Sequence, residues 1–199
     1  MNTVCHSYFI LSTVREPKNC VIHEEPTSIR DMSWRMSRGL PVDERFPSDV
    51  VLQVDGGTKG ITLPDFVSNT VQLAIVSRKF KQTLDEHAAA NIEYLPISIA
   101  NHKGRVSGND YYIANLLDHH DCIDMERSEV EQLGMEPEFL SGLFRLHITE
   151  DRVPHEAKLF RLKSMPSAIL IRDDLRATVD VAGLTGVKYI GMGERCRIY

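Results

Sequence analysis

The spacing of apolar residues divides the chain into short strands and a few helices. Tyr8-Phe9-Ile10-Leu11 reads as a first strand. The β-branched run Val50-Val51-Leu52-Gln53-Val54 closes on Asp55-Gly56-Gly57, a strand followed by a turn. Ile61-Thr62-Leu63-Pro64-Asp65-Phe66 reads as an extended return segment. Residues 71–76 then lead into a helix predicted over about 77–89, with Val76, Phe80, Leu84 and Ala88 on one stripe. A strand, Ile92-Glu93-Tyr94-Leu95-Pro96, follows.

The same pattern returns 95 positions later. Ile171, Leu175, Val179 and Gly183 fall on the helix stripe, and Val187-Lys188-Tyr189-Ile190 on the strand. Gly183 and Gly186 end this second helix, because glycine tolerates left-handed backbone. Between the copies, Asp110 to Leu117 reads as a buried strand. Cys122-Ile123-Asp124-Met125-Glu126 alternates with period two, which turns Ile123 and Met125 inward. Asp124 and Glu126 would then share the outer face of that strand, about 7 Å apart. Leu143 to Ile148 is a further strand. The pattern predicts an α+β fold with two to four helices over mostly antiparallel strands, in which two strand–helix–strand units form an internal pseudo-repeat. It forms one domain over 1–199, or two lobes of about 1–105 and 106–199.

Residues 15–48 carry no such period. Pro17, Pro26, Pro41 and Pro47 punctuate them. A loop of this length is uncommon in a compact domain, so it is expected to pack through Trp34 and Met36. Trp34, the one tryptophan of the chain, fits a core residue slightly better than an interface anchor.

Composition adds limits. The 199 residues are 42% hydrophobic and 26% charged, ordinary for a globular chain. A chain of this length buries about 70% of its unfolded surface and needs no disulfide or metal for its core. Cys5, Cys20, Cys122 and Cys196 form no CxxC and read as reduced thiols. The amino terminus resembles neither a signal peptide nor a membrane span, so a cytoplasmic location is expected.

Charge is uneven. Residues 101–150 hold 4 basic against 10 acidic side chains, and residues 151–199 hold 9 against 6. Eight carboxylates, Asp118, Asp121, Asp124, Glu126, Glu129, Glu131, Glu136 and Glu138, face only Arg127, a local charge of −7 in a chain of net −5. Such a field repels nucleic acid and attracts basic protein surfaces, although a solvated acidic face with no partner is the plainer reading.

Catalytic signatures are missing. No phosphate-binding loop, GxSxG, HExxH or EF-hand spacing occurs. The densest reactive cluster is Asp118-His119-His120-Asp121-Cys122. Adjacent residues of an extended strand point to opposite faces, so a polar loop entering an edge strand fits better than a metal site. No metal or cofactor is expected. A thiol-dependent hydrolase using Cys122 with His119 or His120 stays open as an alternative, as does a ligand-binding regulatory module. Cys5-His6 and His155-Glu156 carry no recognisable spacing, and Asp173-Asp174 reads as helix-start electrostatics.

An ordered set of segments carries a resemblance. It runs from Tyr8-Phe9-Ile10-Leu11 through Leu63-Pro64-Asp65-Phe66, the helix opening at Val76-Ser77, and Asn91-Ile92-Glu93-Tyr94-Leu95-Pro96. It continues through Tyr111-Tyr112-Ile113-Ala114-Asn115, Asp121-Cys122-Ile123-Asp124 and Arg127-Ser128-Glu129. Leu159-Phe160-Arg161-Leu162 and Ala182-Gly183-Leu184-Thr185-Gly186-Val187 complete it. In order and spacing this resembles the immunity-protein family numbered eleven of bacterial polymorphic toxin systems, over about residues 8–190. The resemblance implies an antitoxin without catalytic activity, made beside a secreted toxin such as a type VI effector. It supplies no active-site residues. The expected partner is a cognate protein toxin of nuclease type, with neither nucleic acid nor membrane bound. The candidate toxin-binding residues are Asp118, Asp121, Asp124, Glu126, Glu129, Glu131 and Trp34. The segment 15–48 has no counterpart in the family pattern.

Overall fold

The computed structural model describes residues 6–57, 60–134 and 136–199, without the side chains of Asp43 and Pro137. Cys5 lies outside the described residues. The first half runs β1 (Tyr8–Thr13), β2 (Val21–Ile22), α1 (Thr27–Ser37), β3 (Val51–Gln53), β4 (Phe66–Asn69), β5 (Ile75–Ser77), α2 (Arg78–His87) and β6 (Ile92–Ala100). The second half runs β7 (Val106–Leu116), β8 (His119–His120), β9 (Glu129–Leu133), β10 (Glu136–Arg145), β11 (Leu159–Leu162), β12 (Ile169–Arg172), α3 (Asp173–Val181), β13 (Val187–Gly191) and β14 (Arg195–Ile198). The chain is therefore mixed α and β, mostly strand, as its pattern predicts.

Among the described residues three sheets form, ordered β13-β1-β12-β11-β8, β14-β10-β9 and β2-β4-β5-β7-β6-β3. Most pairs are antiparallel, and β2–β4, β3–β6 and β8–β11 are parallel. The helix-bearing segments share a local geometry. β5 and β6 both pair antiparallel with β7, which lies between them. β12 and β13 both pair antiparallel with β1, which lies between them.

Alternation along the strands sorts side chains into three cores. In β12, Ile169 and Ile171 face the helices while Leu170 faces the layer formed by β9, β10 and β14. In β7, Ile113 packs beneath α1, and Ala114 and Leu116 pack toward α2 and α3. The predicted stripe Val76, Phe80, Leu84 and Ala88 is buried, and so are Ile171, Leu175 and Val179. Both helices share that middle core with Phe66 and Leu159. Burying one such side chain is worth about 1.5–3 kcal/mol.

Two expectations need correction. Residues 15–48 are not irregular, because α1 occupies their centre. Ile29, Met32 and Met36 recur at helical spacing just after Pro26, and Ile29 and Met36 are buried. The segment packs through Met36 as expected, but Trp34 is on the outer face, 50% exposed. Cys122–Glu126 is likewise no strand. Only Ile123 makes a bridge, to Ile148, and residues 125–127 turn. Cys122 and Ile123 are both buried, while Met125 is 44% exposed. The Asp124 carboxylate accepts the backbone N–H groups of Glu126 and Arg127, which fixes this turn and ends the alternation.

Candidate functional site

Several residues of the acidic segment are structural. Asp118 accepts the backbone N–H of Asn91 at 2.7 Å, and its carbonyl accepts that of Arg161. Glu129 pairs with Arg145 across β9 and β10 at 3.2 Å. Asp124 is committed to its turn, so it does not present a strand face with Glu126. The remaining carboxylates, Asp121, Glu126, Glu131, Glu136 and Glu138, are exposed, and none forms an ion pair among the described residues. Met125 and Leu133 are exposed between them. β9 is the outer strand of its sheet, so its free edge carries Glu131 and Leu133.

The helix α1 adjoins this surface. Its C-terminal end closes in a Schellman arrangement: Gly39 donates to the Met36 carbonyl, Leu40 donates to that of Arg35, and Gly39 has φ +65°. The Arg38 carbonyl contacts His119 Nε2 at 2.9 Å, and the Arg38 guanidinium lies 5.8 Å from the Phe139 ring centre. Trp34, one turn before Arg38, donates from its indole to the Asp31 carbonyl and lies under Arg35. The structure thus joins the exposed end of α1 to β8 and β10. The Trp34 indole itself makes no hydrogen bond to the acidic segment among the described residues.

Beneath this junction is a feature the sequence did not announce. Arg161, 1% exposed, projects from β11 and donates to the carbonyls of Leu116, Met36, Ser37 and Pro166. No carboxylate pairs with it among the described residues. Burial lowers its pKa to about 10, so it stays protonated at neutral pH. Two of its acceptors are the last carbonyls of α1, where the helix dipole favours a cation. It ties the first half of the chain to the second.

The resemblance segments prove to be joints. The Asp65 carboxylate accepts from the Ser77 hydroxyl at 2.6 Å and from the Thr185 backbone and hydroxyl. Burial works to raise its pKa, but these hydrogen bonds outweigh it and hold the carboxyl below its usual range. Gly186, at φ +81°, packs against Pro64. Leu63-Pro64-Asp65-Phe66 and Gly183-Leu184-Thr185-Gly186 therefore meet.

The reactive candidates do not assemble. Cys122 is fully buried, and burial, then Asp121, pushes its thiol up to about 12. His120 packs edge-on against Phe160 at 4.8 Å and is shifted down by burial, while His119 bonds two carbonyls. A thiol-dependent hydrolase needs an accessible thiolate, and here the thiol is buried and held protonated. His6, Asp173 and Asp174 do offer ligand atoms within 4.8 Å of one another. Asp174 is already held by Arg172 at 2.8 Å and Lys158 at 3.3 Å, so a metal ion would enter against two fixed cations. The Arg172 hydrogen bond leads in keeping Asp174 ionised.

A family model described as an immunity protein family (Imm11) matches residues 10–194. The chain belongs to the immunity protein family Imm11. The match spans both helix-bearing segments and the hairpin of β9 and β10, so α1 and its loops lie within the family's bounds. A comparison with curated proteins found no match. None of the helices is long and apolar enough to cross a membrane among the described residues.

Proposed function

We propose that this chain neutralises a cognate protein toxin by binding it, through the acidic surface of residues 121–138 together with the Trp34 face of α1. The family supports the first half. The second half rests on one observation: five exposed carboxylates, unpaired among the described residues, lie along the turn and hairpin that also expose Met125 and, on the outer strand β9, Leu133. Apolar anchors within a charged rim suit a protein partner. A rim of this sign suits a basic one. We read the toxin as a nuclease, whose substrate cleft carries the positive charge, and the immunity protein as its plug. On this reading Asp121, Glu126 and Glu131 face the toxin, Asp118, Asp124 and Glu129 hold the surface in shape, and Trp34 is an anchor at its border. The encounter takes place in the cytoplasm, with a toxin delivered by type VI or similar secretion, and involves neither nucleic acid nor membrane.

The test is a variant carrying Asp121→Asn, Glu126→Gln, Glu131→Gln and Glu136→Gln. Electrostatic steering raises association rates by about 10–1,000-fold and fades with salt. Capture of the toxin should slow about tenfold or more at low ionic strength and match wild type at high salt. Unchanged capture by the folded variant would move the interface elsewhere.

We also infer that β5–α2–β6 and β12–α3–β13 are copies of one unit. What supports this is a set of side chains 95 positions apart in matching roles. Lys81 pairs with Asp85 on α2 and lies 4.4 Å from the Tyr94 ring centre. Arg176 pairs with Asp180 on α3 and lies 4.7 Å from that of Tyr189. Burial first, and then Asp85 or Asp180, raises each phenol well above its ordinary value. On this reading β7 and β1 are the equivalent inserted strands, carrying Tyr112 and Phe9 under the two cations.

A further inference from the structure

The positive balance of the last quarter of the chain plays no part in an acidic plug. Three of its cations, Arg161, Lys188 and Arg197, join Arg15 around one groove of about 710 Å³. The groove lies between the end of β1, the segment entering β5, and β14. Among the described residues no Asp or Glu side chain lines it, in a chain of net charge −5. Arg15, Lys188 and Arg197 form no ion pair and no side-chain hydrogen bond among the described residues. Arg161, a buried lining residue, spends its donors on carbonyls and meets no carboxylate among the described residues. Unpaired cations around one hollow repel one another, and an anion placed among them relieves that repulsion.

The walls narrow the class. Leu11, Phe66 and Ile169 are apolar, Tyr199 adds an aromatic ring, and the Ser12 and Ser167 hydroxyls are uncommitted among the described residues. Register places Lys188 directly opposite Ser12, on the same face of the β1–β13 pair. One wall is held in an uncommon backbone state. Gln72 has φ +57° and donates its side-chain amide to the main-chain oxygen of Tyr199 at 2.6 Å. Such backbone gathers at ligand clamps. The volume falls within the roughly 300–1,000 Å³ of small-molecule sites.

We propose that this groove binds a small organic anion, with its phosphate or carboxylate group between Arg15, Lys188 and Arg197 and its apolar body against Ile198 and Tyr199. The site lies apart from the acidic surface and does not depend on its role. Phenyl phosphate, benzoate, inorganic phosphate and benzyl alcohol are the probes, each titrated into the full chain by calorimetry and thermal shift at low salt. One or both aromatic anions should bind and raise the melting temperature, and which of them binds tighter distinguishes phosphate from carboxylate. Benzyl alcohol should not bind, and inorganic phosphate should bind at least tenfold more weakly than the better aromatic anion. The combined Arg15→Ala, Lys188→Ala and Arg197→Ala variant, all three exposed positions, should fold and lose at least tenfold in affinity. Three results would overturn the proposal: neither aromatic anion binds, binding survives in the folded triple variant, or inorganic phosphate binds as tightly as the aromatic anions.

Discussion

Replacing Arg161 with methionine keeps much of the stem's volume and removes every donor. Four carbonyls, on Met36, Ser37, Leu116 and Pro166, would lose the same partner, although that of Met36 keeps the Gly39 N–H. An unmet buried acceptor costs roughly 1–3 kcal/mol. Removing the arginine also relieves its desolvation, a penalty of several kcal/mol for a buried ion. The two terms oppose each other, and the carbonyls win because two of them close a helix whose dipole the cation answers. We expect a net loss of about 2–4 kcal/mol, toward the lower side of what breaking a buried charged contact costs. For a chain of this size each kcal/mol moves the midpoint by about 2–4 °C, so Arg161→Met should melt roughly 10 °C lower. Urea unfolding followed by circular dichroism gives the free energy, and fluorescence of Trp34, the one tryptophan, reports α1 separately. Arg161→Lys should recover only part, because one ammonium cannot reach carbonyls on three elements. A loss below about 0.5 kcal/mol in Arg161→Met would refute the assignment of Arg161 as the tie between the two halves.

Phe80→Ala and Leu175→Ala should each cost about 2–5 kcal/mol in urea titrations, because both side chains fill the core shared by α2 and α3; a near-neutral Leu175→Ala would count against equivalent units. Asp65, Asp173 and Asp174 titrate below the usual carboxylate range in the folded chain, so the unfolded chain binds more protons as the pH falls through about 4. Their contribution is present above that pH and lost below it, and Asp65→Asn should flatten this acid limb of a stability-versus-pH curve. The Cys122 thiol, raised to about 12 and fully buried, should resist a thiol reagent at pH 8 until urea unfolds the chain, and Cys122→Ala should still protect cells from the toxin.

Period and punctuation made much of the fold legible. The stripes through Phe80 and Leu175 are dictated by a helix with one buried face, and a sequence states that directly. α1 was masked by its flanking prolines, although Ile29, Met32 and Met36 keep helical spacing. Trp34 misled because an apolar side chain is no guarantee of burial, and one on a thin helix covering a sheet has an outward face available. Cys122–Glu126 misled because alternation describes a strand only when the backbone has no better hydrogen bonds. Asp124 supplies them, and the chain turns. Net charge was legible as a sum, but not as a surface. Asp118, Asp124 and Glu129 are spent on Asn91, a turn and Arg145, partners set by tertiary structure. Arg161 gave no local signal, since a buried cation is defined by carbonyls distant in sequence.

Neutralisation by binding is the central claim, and co-production with the proposed cognate toxin tests it most directly. Growth of toxin-producing cells should be restored by the wild-type chain, and the two proteins should elute together as a stable stoichiometric complex. The four-fold acidic variant should lose protection in step with its loss of capture. Protection by a folded variant that no longer binds the toxin, or protection by the wild type with no complex formed, would contradict the account.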